Sequence, residues 1–216
     1  MDYIISKFSH ELKNPLASLY GTVQLLEMQH PEIKTFKYWS NLRCDIEYMN
    51  RLIDEFSDLS KSECLRLSAF SLRSLLEQIS LSFAASIAES KVEYTSKISA
   101  SINQITGDKT KLQEVFSNLL KNAFDATQPD KSIYLEAKET DSHIQISVRD
   151  NGCGISKEKL PTIFEPFVTY KKDGTGLGLS ICREIVEAHG GTISVESTLH
   201  EGTCFTILLP KTLCLL

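Results

Sequence analysis

The stretch DKTKLQEVFSNLLKNAFDATQPDKSIYLEAKETDSHIQISVRDNGCG (108–154) changes its period midway, and that change decides the fold. Its first twenty residues are helical in period. Val115, Leu119, Leu120 and Phe124 supply a buried side, and Asp108 stands at the start as a cap. Asn118, Asn122 and Asp125 fall at i, i+4 and i+7 and share another face. SIYLEAKE (132–139) and HIQISVRD (143–150) then alternate apolar with polar, the pattern of a hairpin. The second strand ends in Asp150 and runs into the turn Asn151-Gly152-Cys153-Gly154.

Outward from this stretch the same alternation of helix and strand continues. SLRSLLEQISLSFAASIAES (71–90) reads as a helix capped by Ser71, and KVEYTSKI (91–98) as a strand. Downstream, Gly174, Gly176 and Gly178 precede a helix over 179–190 that stops at Gly190-Gly191. TISVEST (192–198) and TCFTILLP (203–210) form a second hairpin across LHEG. The sum is an α+β sandwich, a mixed sheet with helices packed on one face.

The first ~65 residues differ. Ile5, Leu12, Leu16, Leu19, Val23 and Leu26 step by seven, four, three, four and three. Leu42, Ile46, Met49, Ile53 and Phe56 step by four, three, four and three. These are two 3.5-residue seams on two helices, separated by the turn HPEIKT (30–35). Pro15 removes a backbone hydrogen bond and predicts a kink in the first helix. One hairpin has too little surface to bury both seams, so a homodimeric four-helix bundle is expected. The domains are read as 1–66 and 67–216, with the hinge near 65–71.

Composition narrows the class. A formal charge of −5 over 216 residues gives no electrostatic ground for nucleic acid. No apolar run reaches the ~20 residues that cross a bilayer, and MDYIISKF lacks a secretory apolar core. Cysteines 44, 64, 153, 182, 204 and 214 show no CxxC pair and no metal spacing, so reduced thiols in a cytoplasmic protein are expected. Cys153, inside the glycine turn, is a site an alkylating agent would reach.

The chemistry-bearing residues fall on both parts. His10 is two residues before Leu12, ~200° around the helix, so its ring points away from the seam. Lys7 and Asn14 share that outer face and Glu11 adjoins it. A neutral imidazole attacks phosphorus with one nitrogen while a base holds the other N–H, and Glu11 is placed to be that base. Aligned carboxamides at Asn118 and Asn122 suit a hard cation such as Mg²⁺, and Lys121 adds charge near phosphates. A buried Asp150 accepts from an adenine amine, with glycines letting backbone approach the base. Gly174, Gly176 and Gly178 before a helix make a phosphate cradle. IFEPFVTYKKDG (163–174) reads as a lid whose Lys171 or Lys172 reaches a γ-phosphate. Each segment alone has an ordinary reading: a solvated histidine, a polar helix stripe, a tight turn, a surface loop. Neither a Rossmann unit nor a P-loop is present.

Taken in order, the segments resemble the catalytic core of a two-component sensor histidine kinase. SHELKNPL is similar to the phosphoacceptor box, Asn118 to Asp125 to the asparagine box, DNGCG and GTGLG to the two glycine boxes, and FEPF to the phenylalanine box. Asp125-Ala126 in place of Lys-Tyr, the short lid and GTVQLLE resemble sporulation-type kinases. The resemblance implies a histidine-phosphotransfer hairpin followed by a Bergerat-type ATP-binding domain. It implies ATP and Mg²⁺, with the metal on Asn122. It implies nucleotide contacts at Asn118, Lys121, Asn122, Asp125, Asp150, Gly152, Gly154, Lys171, Gly174, Thr175, Gly176, Leu177 and Gly178. It further implies His10 as phosphoacceptor, Glu11 and Asn14 in acid–base chemistry, and a response regulator receiver domain as partner. No sensor, transmembrane pair or receiver is present in the 216 residues, so any membrane association would come through a missing sensor region. The rivals are an ATPase of the same fold that drives a clamp or phosphorylates serine, a nucleotide-regulated scaffold, and a phosphatase-dominant enzyme.

Overall fold

A computed structural model describes residues 2–59, 65–171 and 174–211, with side chains from 11 to 54, from 65 to 171 and from 174 to 211. The chain divides into two compact units, residues 1–63 with 167–177, and residues 64–166 with 178–216.

In the first unit, α1 (Asp2–Gln29) and α2 (Trp39–Leu59) form the expected hairpin, joined by a 3₁₀ turn over Pro31–Thr35. α1 continues as a single helix through Pro15, whose ring removes only one of many ladder bonds. Val23 and Ile46 are the seam residues that become buried. Leu12, Leu19, Leu26, Leu42 and Met49 stay between 36% and 46% exposed. One antiparallel pair covers one line of contact and leaves the rest of each stripe open. Ile5 and Phe56 carry side chains outside the described residues. Glu27 closes the base of the hairpin. It accepts from Trp39 Nε1 at 2.9 Å and lies 3.4 Å from the Arg43 guanidinium and 3.7 Å from Lys34 Nζ. The Trp39 bond first, and then the cations, hold its carboxyl below the usual range against the effect of burial.

The second unit is a five-stranded mixed sheet in the order β2-β4-β5-β7-β6. The strands are β2 (Glu93–Ile98), β4 (Ser132–Glu139), β5 (His143–Asp150), β6 (Thr192–Thr198) and β7 (Gly202–Pro210). β2 and β4 run parallel, joined by a crossover that contains a helix, and the other pairs are antiparallel. Along β4, Ile133, Leu135 and Ala137 are buried while Tyr134 and Glu136 face outward, so one face carries the helices. Those helices are α3 (Leu72–Ser86), α4 (Lys109–Ala126) and α5 (Gly178–Ala188). Leu72, Leu76, Leu112, Phe116 and Leu120 meet Ile133, Leu135, Ile146 and Ile207 in a core that is at most 1% exposed at each.

Two local features differ from expectation. α3 ends at Ser86, short of residue 90, where Ser90 turns its hydroxyl back to the Ile87 carbonyl at 2.6 Å and competes with the helix. A second, two-stranded sheet joins β1 (Ser68–Ser71) antiparallel to β3 (Gln104–Gly107). Neither strand is anticipated from sequence, because four residues are too few to display a period. Ser71 nonetheless caps α3, accepting from Ser74 N–H at 3.2 Å.

Candidate functional site

The site in the second unit grows from α4. Asp108 caps it, with Oδ1 accepting from Thr110 and Lys111 N–H at 3.0 and 3.1 Å. Leu112, Val115, Phe116, Leu119, Leu120 and Ala123 enter the core. That fixes the opposite side: Asn118 and Asn122 are half-buried, and Lys121 and Asp125 are exposed. Asn122 Nδ2 donates to Asn118 Oδ1 at 3.2 Å, which links the two carboxamides one turn apart.

Two glycine elements close on this helix. At its middle, a Cβ on Gly178 would lie 2.5 Å from Asn118 Nδ2, so the start of α5 packs directly against the Asn118 amide and a side chain there would displace it. At its end, a Cβ on Gly152 would lie 2.3 Å from the Ala126 carbonyl oxygen and 2.7 Å from Asp150 Oδ1. Cys153 N–H donates to that same Ala126 oxygen at 3.0 Å. Asp150 ends β5 opposite Thr203 of β7 and is 3% exposed. Its Oδ1 accepts from Gly152 N–H at 2.8 Å, which aims the carboxylate across the turn. The turn is pinned on its far side as well. Gly154 has φ +65°, and a Cβ there would lie 2.0 Å from the Thr198 carbonyl oxygen. Ile155 N–H donates to Ser197 Oγ at 2.8 Å, and Ser197 Oγ donates to the Gly202 carbonyl at 2.8 Å.

The result is a buried carboxylate, a pair of amide oxygens and a helix start gathered along one helix. It offers an acceptor for an amine, oxygen ligands for a hard cation and N–H groups for an anion. Among the described residues no cluster of three histidine, cysteine or acidic side chains stands ready to hold a metal alone. Cys182, deep under α4 with Sγ 3.8 Å from the Val115 carbonyl, is not a nucleophile: burial first, and then the Glu114 charge, push its thiol up, against a hydrogen bond from Asn118.

Lys171, Gly174, Thr175, Gly176 and Leu177 belong to the first unit. There Gly176 has φ +74°, and a Cβ would lie 2.5 Å from the Phe167 carbonyl carbon, so the glycine turn folds onto the start of its own loop. Lys171 is exposed, Gly174, Thr175 and Gly176 are half-buried and Leu177 is buried. Glu11 and Asn14 are exposed on α1, and Lys13 pairs with Asp54 across the hairpin. The side chains of Lys7 and His10, and Lys172, Cys64 and Cys214, lie outside the described residues.

Sequence reasoning missed the supports. Ser197 and Thr203 are recoverable from the second hairpin once its register is known, since Thr203 pairs with Asp150 across β5 and β7. Arg183 gave no signal. Its guanidinium stacks 4.7 Å over the Phe164 ring, which also meets Phe205 edge-on at 6.2 Å, and this anchors the loop that starts at Ile163. Among the described residues no helix is long and apolar enough to cross a membrane.

Known proteins bear on this geometry. Residues 107–213 match the family model of the histidine kinase-, DNA gyrase B- and HSP90-like ATPases, and residues 1–65 match that of the His Kinase A (phospho-acceptor) domain. The chain is 32% identical over 204 residues to sporulation kinase C of Bacillus subtilis (strain 168), across 94% of this chain and 47% of that relative. The solved catalytic domain of histidine kinase ThkA superposes with TM-score 0.62 at 32% identity, over 68% of this chain and 97% of that one. ThkA in complex with response regulator protein TrrA superposes with TM-score 0.70 at 26% identity, over 97% of this chain and 61% of that one.

Proposed function

The chain belongs to the histidine kinase family, and on that premise we propose that it uses ATP to phosphorylate its own His10 and passes the phosphoryl group to an aspartate of a response regulator. The observation that carries this reading is the convergence on α4 of Asp150, the Asn118–Asn122 amides and the α5 start at Gly178.

In this reading residues 1–66 are the dimerisation and phosphotransfer domain and 67–216 the ATP-binding domain. Asp150 accepts from the exocyclic amine of adenine. Gly152 and Gly154 bring backbone against the base, and Asn118 and Asp125 line the same face. Gly174, Thr175, Gly176, Leu177 and Gly178 supply N–H groups to the phosphates, with Lys121 and Lys171 adding charge. The donor set suits Mg²⁺: Asn122 would hold it through a hard carboxamide oxygen, and when bound the ion neutralises charge on the transferring phosphates. A nitrogen of the neutral His10 ring attacks the γ-phosphorus, and the bond to the β-bridging oxygen breaks. ADP leaves with that electron pair, and Glu11 takes the proton from the other ring nitrogen. Asn14, exposed one turn on, orients water when a regulator phosphoaspartate is hydrolysed.

The open seam of Leu12, Leu19, Leu26, Leu42 and Met49 supports a homodimer through α1 and α2. The ThkA complex with its regulator supports a receiver domain as partner. A cytoplasmic location accords with reduced thiols, any membrane tie coming through a sensor region.

Calorimetric titration with ATP and Mg²⁺ tests the site. Asn122→Ala and Asp150→Asn should each weaken binding tenfold or more, the loss of about 1.4 kcal/mol or greater. Unchanged affinity in both would remove the assignment.

A further inference from the structure

His189 closes α5 in the sequence Ala188-His189-Gly190 and is 1% exposed. Both ring nitrogens are engaged. Nε2 accepts from the backbone N–H of Asp108 at 2.9 Å, so the ring proton sits on Nδ1, which donates to the Ile185 carbonyl at 2.7 Å. Space for the ring exists because residue 107 is glycine: a Cβ there would lie 3.0 Å from the ring Cδ2 and 3.2 Å from Nε2. Asp108 is no ordinary partner. Its carboxylate caps α4 and also accepts from Arg66 N–H at 2.9 Å, so the chain entering the unit, the start of α4 and the end of α5 meet at this point.

The contacts between α4 and α5 run in reverse order: Asp108 with His189, Val115 with Cys182, Asn118 with Gly178. The helices are therefore antiparallel, and the His189 end lies eleven residues, roughly 16 Å, from the Gly178 end. A helix transmits an axial shift over that length with little loss. At Gly178 the two helices meet through the Asn118 amide itself, 2.5 Å from where a Cβ would lie, so a shift in register moves that amide.

We propose that His189 is a positioning residue for the nucleotide site, setting the axial register of α4 on α5 and thereby the place at which Asn118 and Asn122 meet the Gly178 helix start. The inference rests on the nucleotide reading of that site. His189 touches no reacting atom. Its ring acts through the Asp108 N–H, a buried donor at a helix start that has no partner within its own helix. Burial keeps the ring neutral, against the Ile185 bond and the Asp108 charge, which is the form the Asp108 N–H requires.

The test is ATP binding to the full chain with three variants at 189 and two references. Glutamine places an amide oxygen where Nε2 stands and preserves the acceptor. Asparagine reaches only the Nδ1 position, and phenylalanine preserves volume alone. His189→Phe and His189→Asn leave the Asp108 N–H unsatisfied and release the register of α4 on α5, so each should raise the ATP Kd about tenfold, while His189→Gln stays within about threefold of wild type. A melting curve for each variant separates register from loss of fold, and should phenylalanine prevent folding, the asparagine–glutamine pair decides alone. Equal Kd for all three 189 variants, with Asp150→Asn still weakened, overturns the positioning role of His189 and leaves the nucleotide site standing. Wild-type Kd in both Asp150→Asn and Asn122→Ala as well overturns both readings.

Discussion

A single methyl at residue 152 tests whether the turn that carries Asp150 is held as tightly as its geometry requires. In Gly152→Ala the new Cβ would sit 2.3 Å from the Ala126 oxygen, where ordinary contact begins near 3.4 Å, so the turn and the end of α4 must part by about 1 Å. The obstacle is backbone, and no rotamer change relieves it. Parting them strains the Cys153 N–H bond to the same oxygen and the Gly152 N–H bond to Asp150. Overpacking costs about 1–3 kcal/mol and a weakened hydrogen bond about 1 more, or about 2–4 kcal/mol together. For a chain of this size that is a melting-point loss of roughly 4–16 °C. If the strain is released by tilting the turn, ATP affinity falls at least about thirtyfold. Gly190→Ala is the control. It also has φ +65°, but its nearest neighbour would be Pro210 Cγ at 3.6 Å, so it carries only the left-handed strain of about 1–2 kcal/mol and keeps ATP affinity. Differential scanning calorimetry and nucleotide titration read both quantities. A Gly152→Ala protein that melts with wild type and binds ATP like Gly190→Ala would refute the close-approach reasoning.

Two further outcomes follow from titration and exposure. The His189 ring is held neutral by burial, below its usual 6.5, so under that pH the unfolded chain gains a proton that the folded chain refuses. Stability should fall as pH drops through 6.5 toward the depressed folded value. Asp108 adds a second loss below about 3.8: its buried carboxyl is nonetheless held low by the Arg66, Lys111 and Thr110 N–H groups. The urea midpoint should be lower at pH 5.5 than at pH 7.5, a difference that His189→Gln flattens; a midpoint that rises on acidification contradicts the assignment. Among the thiols, iodoacetamide should label the exposed Cys153 and Cys44 and spare Cys182, and saturating ATP should slow Cys153 only. Peptide mass spectrometry showing Cys182 labelled in the folded protein would remove its place in the core.

Much of this molecule can be read from its residues because long elements repeat. α4 shows its apolar side through five turns, and β4 and β5 begin and end at the residues their alternation marks. Asp150 was legible as the end of a strand before glycines. What stayed hidden is short or non-local. β1 and β3 are four residues each, and the parallel pairing of β2 with β4 depends on where a crossover lands. His189 reads as part of a helix stop, since its partner Asp108 lies 81 residues away. Gly202 looks like a hairpin glycine, yet a Cβ there would lie 2.0 Å from the Asp150 carbonyl oxygen, so it also admits the site's own strand. The exposed seam residues were legible as apolar, while their exposure needed the hairpin to be built.

The most direct test of the account is incubation of the chain with γ-labelled ATP and Mg²⁺ beside His10→Gln, with the product exposed to acid and to base. The account predicts label on the wild-type chain that acid removes and base spares, and none on His10→Gln. Full labelling of His10→Gln, or label that survives acid, would contradict phosphorylation of His10.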